Sequence, residues 1–233
     1  MASADPEPRK EVIDGVTYHL LKAPASSVRL IWKNGEGKQL RSFPEAAGFI
    51  KSIGETPVMV MNGGIFEPGG IPSGLLIQDS KELRPINRAK GNGNFFLQPN
   101  GVFYIGNKGA AVIRTDEYPP RDVEIQQAVQ SGPLLLRDGK VHPAFNKGSN
   151  SRLHRNGIGV SRKGEVVFAM SDFRSPKYPN LYEFAELFRD LGCDDALFLD
   201  GDISQMRFGD DASRFSNDFG SFIAVLKMTE EEK

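Results

Sequence analysis

The chain has one cysteine, Cys193, in 233 residues, so no internal disulfide can form and a packed core must hold the fold. No apolar run approaches the ~20 residues of a membrane-spanning helix. Charge of one sign is also lacking. A formal net charge of −1 gives no electrostatic reason to expect nucleic acid or an anionic membrane surface as partner. There is no P-loop and no G-x-G-x-x-G fingerprint, which argues against a nucleotide cofactor. His19, His142 and His154 have no metal-ligand spacing, and H-E-x-x-H and C-x-x-C are absent, so a catalytic zinc is not expected. Cys193 follows a helical segment, where the dipole disfavours a thiolate, and reads as structural. Residues 1–11 are short, polar and proline-containing, and carry no secretory signal, a start that suits a cytoplasmic protein as well as a mature exported domain.

What is present describes an ordinary folded domain. With 39% hydrophobic and 25% charged residues, the chain has the balance of a globular protein, and its length suits a single domain. We assign 1–11 to a disordered segment, 12–228 to the domain and 229–233 to an acidic, solvated tail. Val16–Leu20 and Val28–Trp32 read as strands, paired with one another around Ala23–Ser27. Glycine turns between apolar runs predict hairpins around Asn100-Gly101, Asp138-Gly139 and Lys163-Gly164. Further strands are expected at 74–78 and 220–227. The whole predicts an α+β fold: one domain with a mixed, hairpin-rich β-sheet core and two main amphipathic helices.

Both helices belong to a recurring unit. Asn180 and Glu183 form an N-x-x-E capping box. Leu181, Phe184, Ala185, Phe188 and Leu191 then recur at helical spacing, and Gly192 suits the left-handed end. The wholly apolar run Ala196–Leu199 follows and delivers Asp200-Gly201-Asp202-Ile203-Ser204. Earlier, Ser42 and Glu45 make the box, Pro44 sits in the first turn and Gly54 ends the helix. There the apolar run 57–61 delivers Asn62-Gly63-Gly64-Ile65-Phe66. Each polar, glycine-containing loop leaves a strand with no polar face, so the strands should be covered on both sides and the loops should face one cleft.

Several groups in these loops could carry chemistry. Asp200 and Asp202 are either a carboxylate pair for acid–base work, sugar binding or a metal, or a D-G-D turn capping its own backbone. An EF-hand is poorly supported, because Gln205 stands where that loop needs glycine. Ser131 and Gly132 could form a small anion nest, or simply connect two strands. Arg152 and Arg155 lie in the polar stretch 143–156, a length of loop that is often functional. Arg155 runs straight into an apolar strand, where a charge needs a partner or a ligand, and its planar guanidinium suits phosphate.

In order and spacing, Asn62-Gly63-Gly64-Ile65-Phe66, Gln130-Ser131-Gly132-Pro133, Arg155-Asn156-Gly157-Ile158-Gly159 and Leu199–Ser204 resemble the phosphodiester glycosidase family. The likeness is strongest to a small bacterial, usually exported branch, through Gly93–Val102, Gly139–Phe145 and Tyr182–Ala185. It implies hydrolysis of a glycosyl phosphodiester or phosphorylated glycan at the anomeric carbon, a periplasmic or secreted location, and no required cofactor. Carried over by motif, Asp200, Arg155 and Asn62 would be catalytic, and Gly63, Gly64, Ser131, Gly132, Asn156 and Ser204 would bind substrate. The chain departs from the family pattern at Asp202, where a glycine is usual, and at Ile65, where an aromatic is. Asp202 opens a further expectation, a shallow Mg²⁺ or Ca²⁺ site. The competing classes are a non-catalytic glycan-binding protein, with Tyr178, Tyr182 and Phe66 as platforms, and a metal-dependent phosphoesterase.

Overall fold

The structure, a computed structural model, describes residues 6–209 and 218–228. The expected acidic tail at 229–233 and the first five residues lie outside the described residues. The rest of the expected disordered segment does have structure. Arg9–Ile13 forms strand β1, turning at Asp14-Gly15 (φ 50° and 78°) to pair antiparallel with β2 (Val16–Ala23). Its polar, charged composition is that of a sheet edge.

A short 3-10 turn leads to β3 (Val28–Ile31), α1 (Phe43–Ser52) and β4 (Pro57–Asn62). There follow β5 (Phe66–Glu67), β6 (Ile71–Pro72), β7 (Leu76–Gln78), β8 (Lys81–Arg84), β9 (Gly101–Gly106), β10 (Gly109–Arg114) and β11 (Ile125–Ser131). The remainder comprises β12 (Leu134–Arg137), β13 (Lys140–Val141), β14 (Asn156–Ser161), β15 (Val166–Ser171), α2 (Leu181–Asp190), β16 (Cys193–Asp200), β17 (Met206–Phe208) and β18 (Phe222–Leu226). The α+β class read from the sequence holds.

Three antiparallel arrays make the body: β1-β2-β15-β14-β16-β12-β13, β10-β9-β11-β7-β8 and β17-β4-β18-β3. Their inner faces enclose one core that includes Met59, Met61, Phe103, Ile158, Phe168, Leu197 and Leu199. On the outer face of the largest array, α2 packs Phe184 and Phe188 against Ala196 and Phe198. On the outer face of the third, α1 packs Phe43 and Ile50 against Val60 and Phe222. The apolar runs before the two polar loops are thus covered on both sides, as their lack of a polar face requires.

Helix α2 begins as its capping box predicts, and α1 forms only the Ser42 half of the expected box. The Asn180 side chain accepts from Glu183 N, and the Glu183 carboxylate accepts from Asn180 N. Ser42 Oγ accepts from Glu45 N, while Glu45 turns its carboxylate to Arg41 N. Gly54 and Gly192 follow the helices at φ 82° and 91°.

Two expected pairings differ. β2 and β3 are not partners, because the turn at Ala25–Ser27 carries the chain from the first array to the third, where β3 pairs with β18. Asn100-Gly101 is not a hairpin tip either; β9 turns into β10 after Gly106. A Cβ on Gly101 would lie 2.6 Å from Leu134 and 2.7 Å from the Ile113 carbonyl, so this glycine serves close packing rather than a turn. The hairpins at Asp138-Gly139 and Lys163-Gly164 do form.

Candidate active site

Strand β4 ends at Asn62 and β16 at Asp200, in different sheets, yet the side chains meet. Asn62 Nδ2 donates to Asp200 Oδ2 at 3.0 Å. Asn156, at the start of β14 and in register with Asp200, locks the other end of that amide. Its Nδ2 donates to Asn62 Oδ1 at 3.0 Å and to the Asn62 carbonyl at 3.1 Å. Gln205 N donates to the same Oδ1 at 2.9 Å. Each polar atom of the Asn62 side chain faces the protein, and the residue is 1% exposed. Asn62 therefore positions Asp200; the expected direct contact with substrate is not available to it here.

Asp200 is partly exposed, at the end of an apolar strand. Its Oδ1 accepts from Gly201 N at 2.8 Å. Burial lifts its pKa to about 6, against the lowering effect of the Gly201 and Asn62 hydrogen bonds, and the Asp202 charge adds to the rise. A carboxylate whose pKa is raised to about 6 and that is held by two donors suits acid–base or nucleophilic work.

Arg155 is 1% exposed. Its Nε donates to the Pro179 carbonyl at 3.1 Å and its Nη2 to the Ser151 carbonyl at 3.0 Å, and Phe198 lies under the guanidinium. Among the described residues it forms no ion pair, and burial pushes its pKa down to about 10. The cation thus ties the 143–156 loop to the approach of α2 and sits behind the site rather than in its mouth. Arg152 pairs with Glu183 through both its terminal nitrogens.

The Ser131-Gly132 turn is also interior. Ser131 Oγ donates to the Leu199 carbonyl at 3.1 Å, bracing the strand that carries Asp200. A Cβ on Gly132 would meet Asn100 at 2.7 Å and the Phe95 carbonyl at 2.8 Å, so this turn takes the strand-connecting reading. A Cβ on Gly63 would meet Ser221 Oγ at 2.8 Å, and Gly64 has φ 131°, which explains both glycines sterically. Gly157 and Gly159 belong to the same class: Cβ atoms there would press on Phe188 at 3.1 and 2.9 Å.

Ser204 N closes the turn onto the Gly201 carbonyl at 2.8 Å. His154 Nε2 donates to the Ser204 carbonyl at 2.8 Å, while its Nδ1 meets Ser171 Oγ, which also accepts from Arg155 N. Burial lowers the His154 pKa, so the neutral ring holds the turn. Ser204 Oγ is buried with no partner. Asp202 is exposed, and among the described residues no group of three His, Cys, Asp or Glu side chains could hold a metal ion.

Beside the turn lies a cavity of about 410 Å³, walled by Asp202–Arg207 on one side and by Lys10, His19, Asp172, Phe173 and Arg174 on the other. Asn62, Asp200 and Arg155 are not in its walls. Asp172 Oδ2 accepts from Lys10 Nζ at 2.6 Å and pairs with His19 Nε2 at 3.0 Å. Sequence reading passed over Asp172, yet it comes directly off the apolar strand β15 as Asp200 comes off β16, and that signal would have found it.

A profile of the phosphodiester glycosidases matches residues 55–221. The chain belongs to the phosphodiester glycosidase family. Protein YigE of Escherichia coli (strain K12), itself uncharacterised, is 35% identical over 192 residues, covering 82% of this chain and 73% of its own. Among solved structures, the zebrafish N-acetylglucosamine-1-phosphodiester α-N-acetylglucosaminidase catalytic domain, auto-inhibited by its pro-peptide, superposes with a TM-score of 0.67 at 18% identity. That likeness covers 96% of this chain and 82% of the other. A protein from Synechocystis superposes at 0.57 and 15% identity, over 95% of this chain and 61% of its own. At such identities these structures speak for the fold. Among the described residues of this phosphodiester glycosidase-family chain, no helix is long and apolar enough to cross a membrane.

Proposed function

We propose that the protein hydrolyses a glycosyl phosphodiester or phosphorylated glycan at the sugar's anomeric carbon, with Asp200 in its ionised form as the catalytic carboxylate. The observation that carries this is the pair of donors, Asn62 and Gly201, that orients a partly exposed carboxylate whose pKa stands at about 6. Cleavage breaks the bond between the anomeric carbon and the bridging oxygen. Water supplies the new oxygen on carbon, and the phosphate keeps the bridging one and leaves as a monoester. A phosphate leaving group needs little protonation, so the harder requirement is a negative charge beside the carbon as it becomes oxocarbenium-like. An ionised Asp200 meets that requirement. Export to the cell envelope, where phosphorylated glycans occur outside the membrane, belongs to the same reading.

Incubation with a panel of glycosyl phosphodiesters in ¹⁸O-water tests it. Label is expected in the sugar, and Asp200→Asn should lose roughly 10²-fold or more of the rate. Label in the phosphate would mean attack at phosphorus, and binding without turnover would make the protein a glycan binder. The exposed ring of Phe173 gives that last alternative some footing.

A further inference from the structure

We infer that the cavity beside the Asp200 turn is an anion subsite for the phosphate-bearing half of the substrate, with the Arg174 guanidinium as its free cation. Calling the ligand a substrate rests on the proposed reaction; the affinity for phosphate does not. Its volume, about 410 Å³, is in the range of small-ligand sites.

Lys10, Arg174, Asp172 and Asp202 are among the charged residues that line it. Asp172 is already satisfied by Lys10, His19 and the Arg174 N–H. The Arg174 guanidinium is exposed and has no ion pair among the described residues. Arg155, which the motif nominates as the phosphate clamp, spends its guanidinium on two backbone carbonyls. Arg174 stands on the open side instead and offers the planar fork that phosphate oxygens match.

Two further features point to a ligand. The Ser204 hydroxyl is buried without a partner, and its residue lines the cavity. Phe173 leaves 69% of its surface in solvent at the rim, where a sugar or organic substituent on the phosphate could cover it. Lys10 and His19 lie outside the family-matched span, so this wall is supplied by the N-terminal strands.

Titration calorimetry with inorganic phosphate and phenyl phosphate tests the assignment on the whole chain. Wild type should bind, more weakly as salt rises. Arg174→Ala should weaken binding about 10-fold or more, and Arg174→Lys should restore part of it. Asp172→Asn should tighten binding, because it frees Lys10 while keeping an acceptor for the Arg174 N–H. Phosphate affinity unchanged by Arg174→Ala, or no binding by wild type at millimolar phosphate, would overturn the subsite. Arg174-dependent phosphate binding in a protein inert toward every glycosyl phosphodiester would uphold the subsite and remove the reaction.

Discussion

Asp200 ends an apolar strand, and burial sets its titration. An unfolded aspartate has a pKa of about 3.9, and here the folded value is about 6. The folded state holds this proton more tightly, so the stability it contributes is full below about pH 4 and is lost as pH rises through 6. At pH 7 the ionised group costs about 2–3 kcal/mol. Asp200→Asn should therefore melt above wild type at pH 7 and close to it near pH 4, which thermal unfolding across that range would check. If Asp200 works ionised, the rate should climb through about pH 6, and a rate falling there would make it the acid. Asp202→Gly removes a like charge and should move that limb to lower pH. Added Mg²⁺ or Ca²⁺ should shift the melting of Asp202→Gly and wild type equally, because no third His, Cys, Asp or Glu ligand stands near among the described residues. A response lost in Asp202→Gly would instead assign the metal to Asp202.

Among the elements, α2 links fold and site more closely than α1 does. Asn180 is fully buried; besides capping the helix, its Nδ2 donates to the Lys147 and Ser149 carbonyls, both at 3.1 Å. Ser42 on α1 caps and does little else. Ser42→Ala should cost about 1 kcal/mol, an ordinary cap. Asn180→Ala should cost about 2 kcal/mol, because the Lys147 and Ser149 carbonyls lose their donor as well. Denaturant unfolding of both variants would check the difference, and equal losses would detach the 143–156 loop from the cap. Helix α2 reaches the sheet so closely because β14 presents Gly157 and Gly159 beneath Phe188. These motif glycines shape the layer on which Arg155 and Asp200 rest, one step removed from the chemistry.

In the whole molecule, three antiparallel sheets share one core, and the lone thiol lies in the layer between the largest sheet and α2. Cys193 is fully buried, and burial pushes its pKa up to about 12. A thiol reagent should modify it only at the rate of opening of that layer, so modification as fast as in the denatured chain would contradict the packing. The reading of Cys193 as structural needed only its position in the chain. Local pattern also sufficed for both capped helices, the two covered strands and the loops carrying Asn62 and Asp200, because capping, periodicity and turn chemistry act over a few residues. What lay beyond it were contacts between distant segments. Asn62 and Asp200 stand in different sheets, joined by a direct hydrogen bond that Asn156 backs, and their motifs do not say which one touches solvent. Burial turned Arg155 and Ser131 from expected ligands into supports, and the β1 and β2 strands brought Lys10 and His19 to a cavity that no local motif marks. Sequence alone determined the elements and the residue types available to the chemistry. Tertiary structure decided which of them face water, because exposure depends on what the rest of the chain packs against each side chain.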